Sequence, residues 1–247
     1  ADWSRKFQLY VKHKPPTELS AADVKAYLTY LAVTCKVSAS TQNQAFNALL
    51  FLFRHILKTD FGDHRDVPRA KRSSYIPVVL TRREIDVVLD ILSRPHDLVV
   101  KLLYGCGLRL FECLKLRVQN FNFDERILTV MDGKGKKART VPIPQSIVQE
   151  LLEQLERIKA IHDEDLLAGY SGVLLEDALE KKYPSASKDY IWQWIFPQQN
   201  LTYLPETKEM RRFHLSDKDV QQQLFRAVRK ARITKRVTSH TFRHSFA

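Results

Sequence analysis

The sequence predicts a mainly α-helical protein of two domains, the second carrying a small antiparallel β-sheet. Three observations carry this expectation. Apolar residues recur at helical spacing in successive stretches, a charged segment without apolar period separates residues 1–64 from residues 78–247, and two β-branched runs flank a tip rich in Gly and Lys. With 247 residues, 44% of them hydrophobic, and only 7 Gly and 10 Pro, the chain can bury a real core and is neither disordered nor collagen-like.

Ser20 is a plausible N-cap, and Val24, Tyr27, Leu28 and Leu31 behind it fall on one helical stripe. A second helix is expected from about Thr41, with Ala45, Leu49, Leu52, Phe53 and Ile56 inward, ending at Phe61-Gly62-Asp63. Residues 63–77 have no apolar period and read as an extended charged linker, placed at 65–77. Thr81 with Glu84 makes a capping box for a helix whose Ile85, Val88, Leu89 and Leu92 share a face. His96 to Tyr104 is helical, and the break Gly105-Cys106-Gly107 precedes a short helix over Leu108 to Leu116. Arg126 to Val130 and Arg139 to Ile143 form the arms of a hairpin with a basic tip. Ser146 is expected to cap a further helix with Val148, Leu151, Leu152 and Leu155 buried. Residues 163–180 hold six acids and no Lys or Arg, and the aromatic stretch KDYIWQWIFP follows at 188–197. A helix from about Asp217 to Ala231 precedes Thr238-Ser239-His240-Thr241-Phe242-Arg243-His244, where another helix begins.

Lys and Arg number 40 against 28 Asp and Glu, a formal charge of +12 divided equally between residues 1–77 and 78–247. Nucleic acid is the partner such a balance favours, and both halves can touch a polyanion; the plain alternative is a soluble protein that happens to be basic. Cys35, Cys106 and Cys113 include no Cys-x-x-Cys pair, which argues against a disulfide framework or zinc finger and for a reducing cytoplasm. No run of about 18 apolar residues occurs, and the opening ADWSRKFQLY lacks a signal-peptide layout, so neither membrane nor export is expected.

Arg109 and Glu112 stand at i, i+3 after the Gly-Cys-Gly break, and His240 and Arg243 form a second i, i+3 pair near a helix start. Each alone reads equally well as a surface pair. Together, two arginines and a histidine converging on one point would present planar donors to a phosphate, with a group able to move a proton beside it. Lys134 on the hairpin supplies an ammonium able to protonate an alkoxide leaving group, although it reads also as a plain backbone contact like Lys136 or Lys137. No Asp, Glu and His cluster has metal-site spacing, so no metal is expected.

The order GCGLRLFE, then GKGKKAR, then HTFRHSFA resembles the tyrosine recombinase (phage-integrase-like) family. That resemblance implies a C-shaped DNA clamp, built from a helical core-binding domain at 1–64, a basic linker and a catalytic domain at 78–247. It implies that Arg109 and Arg243 grip the scissile phosphate, His240 assists, Lys134 acts as general acid and Glu112 supports the site. Arg65, Arg69, Lys71 and Arg72 of the linker would follow the DNA backbone. Within the family, residues 172–214 look like the insertion that marks integron integrases, whose implied task is to hold bases protruding from a folded single-stranded site. Trp192, Trp194, Pro205 and His214 are the candidates for those bases, and Trp192, Trp194, Phe196 and Pro197 offer flat faces for stacking. The opposing reading is that at least half of these aromatics only pack the insertion onto the domain.

The family nucleophile is a tyrosine beyond the His-x-x-Arg motif. Tyr170, Tyr183, Tyr190 and Tyr203 all precede that motif, so the catalytic domain is expected to be C-terminally incomplete and these residues alone not to cleave. The resemblance further implies a 3′-phosphotyrosyl intermediate, no cofactor, self-association into a tetramer on two DNA sites, and a bacterial, nucleoid-associated location. Two alternatives stay open: a phage or chromosome-dimer-resolving recombinase acting only on duplex, and a DNA-binding clamp that recombines nothing.

Overall fold

The structure, a computed structural model, describes residues 2–59, 76–131, 138–175 and 177–246. Arg65, Arg69, Lys71, Arg72, Lys134, Lys136 and Lys137 lie outside them. The chain is mostly helical with small antiparallel sheets, and it divides into two compact units, Ala1–Ile76 and Pro77–Ala247.

In the first unit, α1 (Asp2–Tyr10), α2 (Ala21–Val33) and α3 (Ala39–Phe51) enclose a core of Phe7, Val24, Tyr27, Leu28, Leu31, Ala45, Phe46, Leu49 and Phe53. Ser20 caps α2 reciprocally with Asp23, satisfying two of the free N–H groups at the helix start. Helix α3 begins two residues before Thr41 because Ser38 accepts from the Thr41 N–H. Its inner stripe includes Gln42, which is buried because its Nε2 donates to the Leu28 carbonyl at 3.1 Å. Ile56, expected inward, is 63% exposed: a π-helical turn over Leu52–Leu57 widens the helix and turns Arg54, His55 and Ile56 outward, while Leu57 packs back against the core.

The second unit opens with α4 (Arg82–Ile91), capped by Thr81 and Glu84 as expected, and α5 (His96–Gly105), the central buried helix. Next come α6 (Leu110–Leu114) and a three-stranded antiparallel sheet of β1 (Phe121–Asn122), β2 (Ile127–Val130) and β3 (Arg139–Pro142), with Val130 opposite Arg139. In helix α7 (Gln145–Leu167), Leu151 is buried as expected, and Val148 and Leu155 pack against the core. Ser146 is not its cap; Pro144 occupies that position with no side-chain cap bond, and its missing N–H removes one of the free donors of the helix start. Leu152 is 39% exposed, and the buried stripe is Ile147, Leu151, Gln154, Ile158, His162 and Asp165.

That stripe turns polar because it receives the segment 172–214, which contains α8 (Asp177–Lys182) and a hairpin of β4 (Thr202–Leu204) and β5 (Glu209–Arg211). Gln154 donates to the Ile195 carbonyl at 2.8 Å, and Asp165 holds the Arg212 guanidinium at 2.5 Å through both carboxylate oxygens. Glu180 and Glu209 both bind Arg211. Asp165 and Glu180 of the acidic run are therefore partners for buried arginines and not part of an acidic surface. Helices α9 (Asp217–Lys230) and α10 (Ser239–His244) close the unit, with Phe242 of α10 fully buried in the main core.

Candidate active site

Gly107 sets the entry to α6. Its φ of +60° is a left-handed conformation, and a Cβ there would stand 2.7 Å from the Phe246 ring. The turn it allows places Arg109 at the start of α6, where Glu112 reaches back: Glu112 Oε2 accepts from the Arg109 backbone N–H at 2.8 Å and Oε1 from Arg109 Nη1 at 2.6 Å. The expected i, i+3 pair is thus made by a carboxylate that also satisfies a helix-end donor.

Helix α10 carries Arg243 to the same point. Its Nη1 donates to the Gly107 carbonyl and stands 3.7 Å from Glu112 Oε2. His240, one turn earlier, is exposed and lines a cavity of about 500 Å³ together with Arg109, Glu112, Lys115 and Met131. Arg109, Glu112, His240 and Arg243 therefore share one locality, although α6 and α10 lie far apart along the chain of the second unit.

A third guanidinium, absent from the sequence-derived site, completes it. Arg139 at the start of β3 donates Nη1 to Glu112 Oε1 at 3.0 Å and Nη2 to Oε2 at 2.7 Å. Three guanidiniums around one carboxylate leave a local formal charge of +2. Burial alone would raise the Glu112 pKa, but the hydrogen bonds from Arg139 and Arg109 outweigh it and hold the group down to about 2. Arg243 is lowered instead, by burial and by the neighbouring charge of Arg109. Such a site carries excess positive charge with donors left facing an open cavity, which is what a phosphate ester requires. Among the described residues, no group of three or more His, Cys, Asp or Glu is placed to hold a metal ion. Nor is any helix there long and apolar enough to cross a membrane.

Beside it lies a second cavity of about 420 Å³, whose wall includes Glu112 and Lys115 on one side and Trp192, Trp194, Phe213 and His214 on the other. Arg117 pins this wall: its guanidinium lies 3.5 Å over the Trp194 ring, and its Nη groups donate to the carbonyls of Trp192 and Leu174. Trp194 is 7% exposed, donates Nε1 to the Arg212 carbonyl and meets His214 edge-on. Trp192 is half-buried. Pro205 does not line this cavity; it is exposed in the turn between β4 and β5, and Phe196 is wholly in the core.

Residues 79–247 match the family described as Phage integrase family, and residues 1–63 match Phage integrase, N-terminal SAM-like domain. The chain is similar to proteins described as integrase/recombinase from Escherichia coli and Pseudomonas aeruginosa. Each is 42% identical over 245 residues, covering 99% of this chain and 73% of the relative. Its fold is similar to that of XerH site-specific recombinase bound to palindromic difH substrate, at 19% identity and a TM-score of 0.62, over 97% of this chain and 64% of that one. The Tn1549 transposon integrase in complex with transposon right end DNA is similar at 16% identity and a TM-score of 0.62, over 99% and 78%.

Proposed function

The chain belongs to the phage integrase family of tyrosine recombinases, which are site-specific recombinases, and from that premise we propose that it acts as an integron-type integrase. The reading has two parts, phosphate activation and recognition of an unpaired base. The first rests on one observation: Arg109 and Arg243 meet at a single carboxylate, with His240 on the rim of the same cavity.

In the proposed reaction, a tyrosine hydroxyl gives up its proton to a neighbouring base and attacks the scissile phosphate, a Tyr O–P bond forms, and the bond to the 5′ oxygen breaks. Arg109 and Arg243 bind the non-bridging oxygens and offset the charge that gathers on the five-coordinate transition state. His240 assists at the phosphate, and Lys134 gives the leaving oxygen its proton. Tyr170 and Tyr190 have other work: their hydroxyls donate to Gln193 and to the Leu155 carbonyl. The nucleophile is proposed to follow the His-x-x-Arg segment, so cleavage is assayed in a recombinase that joins these residues to a tyrosine-bearing segment. Four copies would act on two sites.

The second part rests on the largely apolar cavity beside the phosphate site lined by Trp192, Trp194 and His214, where Arg117 covers a face of Trp194 and half-buried Trp192 is the more accessible ring. An unpaired base fits that chemistry, since stacking on an aromatic ring contributes about 1–3 kcal/mol per base. Binding of the chain to a folded single strand with one protruding base, against the matching perfect duplex, tests it. The proposal expects preference for the folded strand and loss of that preference in Trp192→Ala, with duplex affinity and melting temperature retained. Equal binding of both DNAs by the unsubstituted chain replaces this reading with a duplex-specific recombinase.

A further inference from the structure

We infer that Arg139 is a positioning residue of the phosphate site, which locks Glu112 and through it orients Arg109 and Arg243. The inference rests on the phosphate-binding reading of that site. Glu112 makes its most symmetrical contact with Arg139: two parallel N–H···O bonds, one to each carboxylate oxygen, at 3.0 and 2.7 Å. A forked pair of this kind fixes the plane of the carboxylate as well as its position, which no single bond does.

The consequence falls on the other two arginines. With its plane fixed, Glu112 directs Oε1 at Arg109 Nη1 and Oε2 at the Arg109 backbone N–H. Arg243 is held mainly by the Gly107 carbonyl and stands 3.7 Å from Oε2. The Glu112 side chain is 7% exposed, whereas those of Arg109 and Arg243 are 41% and 30% exposed, so their remaining donors face solvent. Without Arg139 the carboxylate would keep only its two bonds to Arg109, and Oε2, relieved of its 2.7 Å bond to Arg139, could close the 3.7 Å gap to Arg243 and engage a donor meant for the phosphate. Arg139 gives Glu112 one N–H from each terminal nitrogen, whereas Arg109 gives it a single side-chain bond and Arg243 stands 3.7 Å away, so Arg139 is the arginine most committed to the carboxylate.

Position in the chain fits this role. Arg139 begins β3, directly paired with Val130, so its backbone is fixed by the ladder while its side chain reaches α6. An ammonium cannot span two carboxylate oxygens in this way, so lysine is not an equivalent residue here.

The test is single-turnover strand cleavage and DNA affinity, measured side by side in a tyrosine-bearing recombinase that includes these residues. Arg139→Gln and Arg139→Lys are each expected to slow cleavage at least about tenfold while changing DNA affinity less than about threefold. Glu112→Gln is expected to slow cleavage similarly, and the double variant Glu112→Gln/Arg139→Gln to be no slower than the slower single variant, because both act through one contact. Losses that multiply in the double variant would overturn the inference by showing that Arg139 acts independently, and so would unchanged cleavage in both Arg139 variants. Melting temperatures accompany each variant; recovery of the cleavage rate on cooling a destabilised variant also overturns it, in favour of a folding role. Arg109→Ala serves as the control for the underlying reading: if it too leaves cleavage unchanged, the phosphate-site assignment fails, and not merely the place of Arg139 in it.

Discussion

Glu112 is the residue on which the site turns, because a carboxylate with three guanidiniums around it is both structural and electrostatic. Its pKa falls from an ordinary 4.5 to about 2, so the folded state favours the ionised form. A depressed carboxylate contributes stability that is fully present above its unfolded pKa and is lost as pH falls through the folded one. That window runs from about pH 4.5 down to about 2. Allowing for screening by the open cavity, the contribution is about 1–2 kcal/mol. Glu112→Gln removes it, so the stability gap between the original chain and this variant should shrink by that amount as pH is lowered across the window, as read by denaturant melts. A gap constant with pH would refute the charge network. At this scale spacing marks Arg109 with Glu112 and His240 with Arg243 as i, i+3 pairs beside helix starts, each of which alone reads as a surface pair; only the family resemblance gives them a shared phosphate. Arg139 was silent. It stands in the sequence only at the end of the GKGKKAR stretch and the start of the run to Ile143, and its partner lies 27 positions away, across a fold that spacing does not reveal.

Helices were legible wherever their ends carry local chemistry. Ser20 with Asp23 and Thr81 with Glu84 satisfy their own N–H groups, and both helices begin where those caps sit. Where a helix face is chosen by distant polar partners, the apolar pattern is incomplete: Val148, Leu151 and Leu155 of α7 pack inward as expected, but the polar part of the stripe is not visible in it. In α7 the stripe follows Gln154, His162 and Asp165 into contact with the segment 172–214, so Leu152 is left outward. Helix α1 escaped the reading because Phe7 is its only fully buried side chain among the described residues. The most exacting element is the turn before α6. Gly107→Ala introduces both a left-handed alanine and a methyl group against Phe246, with an expected cost of about 1–3 kcal/mol in denaturant melts. The same substitution displaces the carbonyl that receives Arg243, so cleavage should fall by more than the stability loss explains. Normal cleavage at full folding would detach this turn from the site.

For the molecule as a whole, charge is the property that composition states most plainly. The formal +12 is shared equally by residues 1–77 and 78–247, which suits binding spread along a DNA backbone and not confined to a tail. Affinity for DNA should fall linearly on a log–log plot against salt; four or more phosphate contacts correspond to about a tenfold loss for each doubling of salt concentration. Replacing Arg65, Arg69, Lys71 and Arg72 together by Ala should flatten that slope. A slope near zero in the original chain, or one unchanged by the fourfold substitution, would contradict the role given to these residues. The helical character of the fold was readable from periodicity, because a mostly helical chain repeats its apolar spacing many times, while the two domains and the small sheet came from the charged segment and the β-branched runs. Chemistry became readable only from the joint order of three motifs, none of which is specific by itself.

All of this rests on Arg109 and Arg243 serving one phosphate, and the charge of that phosphate offers the most direct measurement. Single-turnover cleavage is compared on two substrates that differ only at the scissile position, a phosphodiester and an uncharged methylphosphonate, by the original recombinase and by Arg243→Ala. A guanidinium that neutralises a non-bridging oxygen has less to do once that oxygen's charge is gone. The account predicts that Arg243→Ala loses orders of magnitude on the phosphodiester and far less on the methylphosphonate. An equal loss on both substrates, or full cleavage of the phosphodiester by Arg243→Ala, would contradict it.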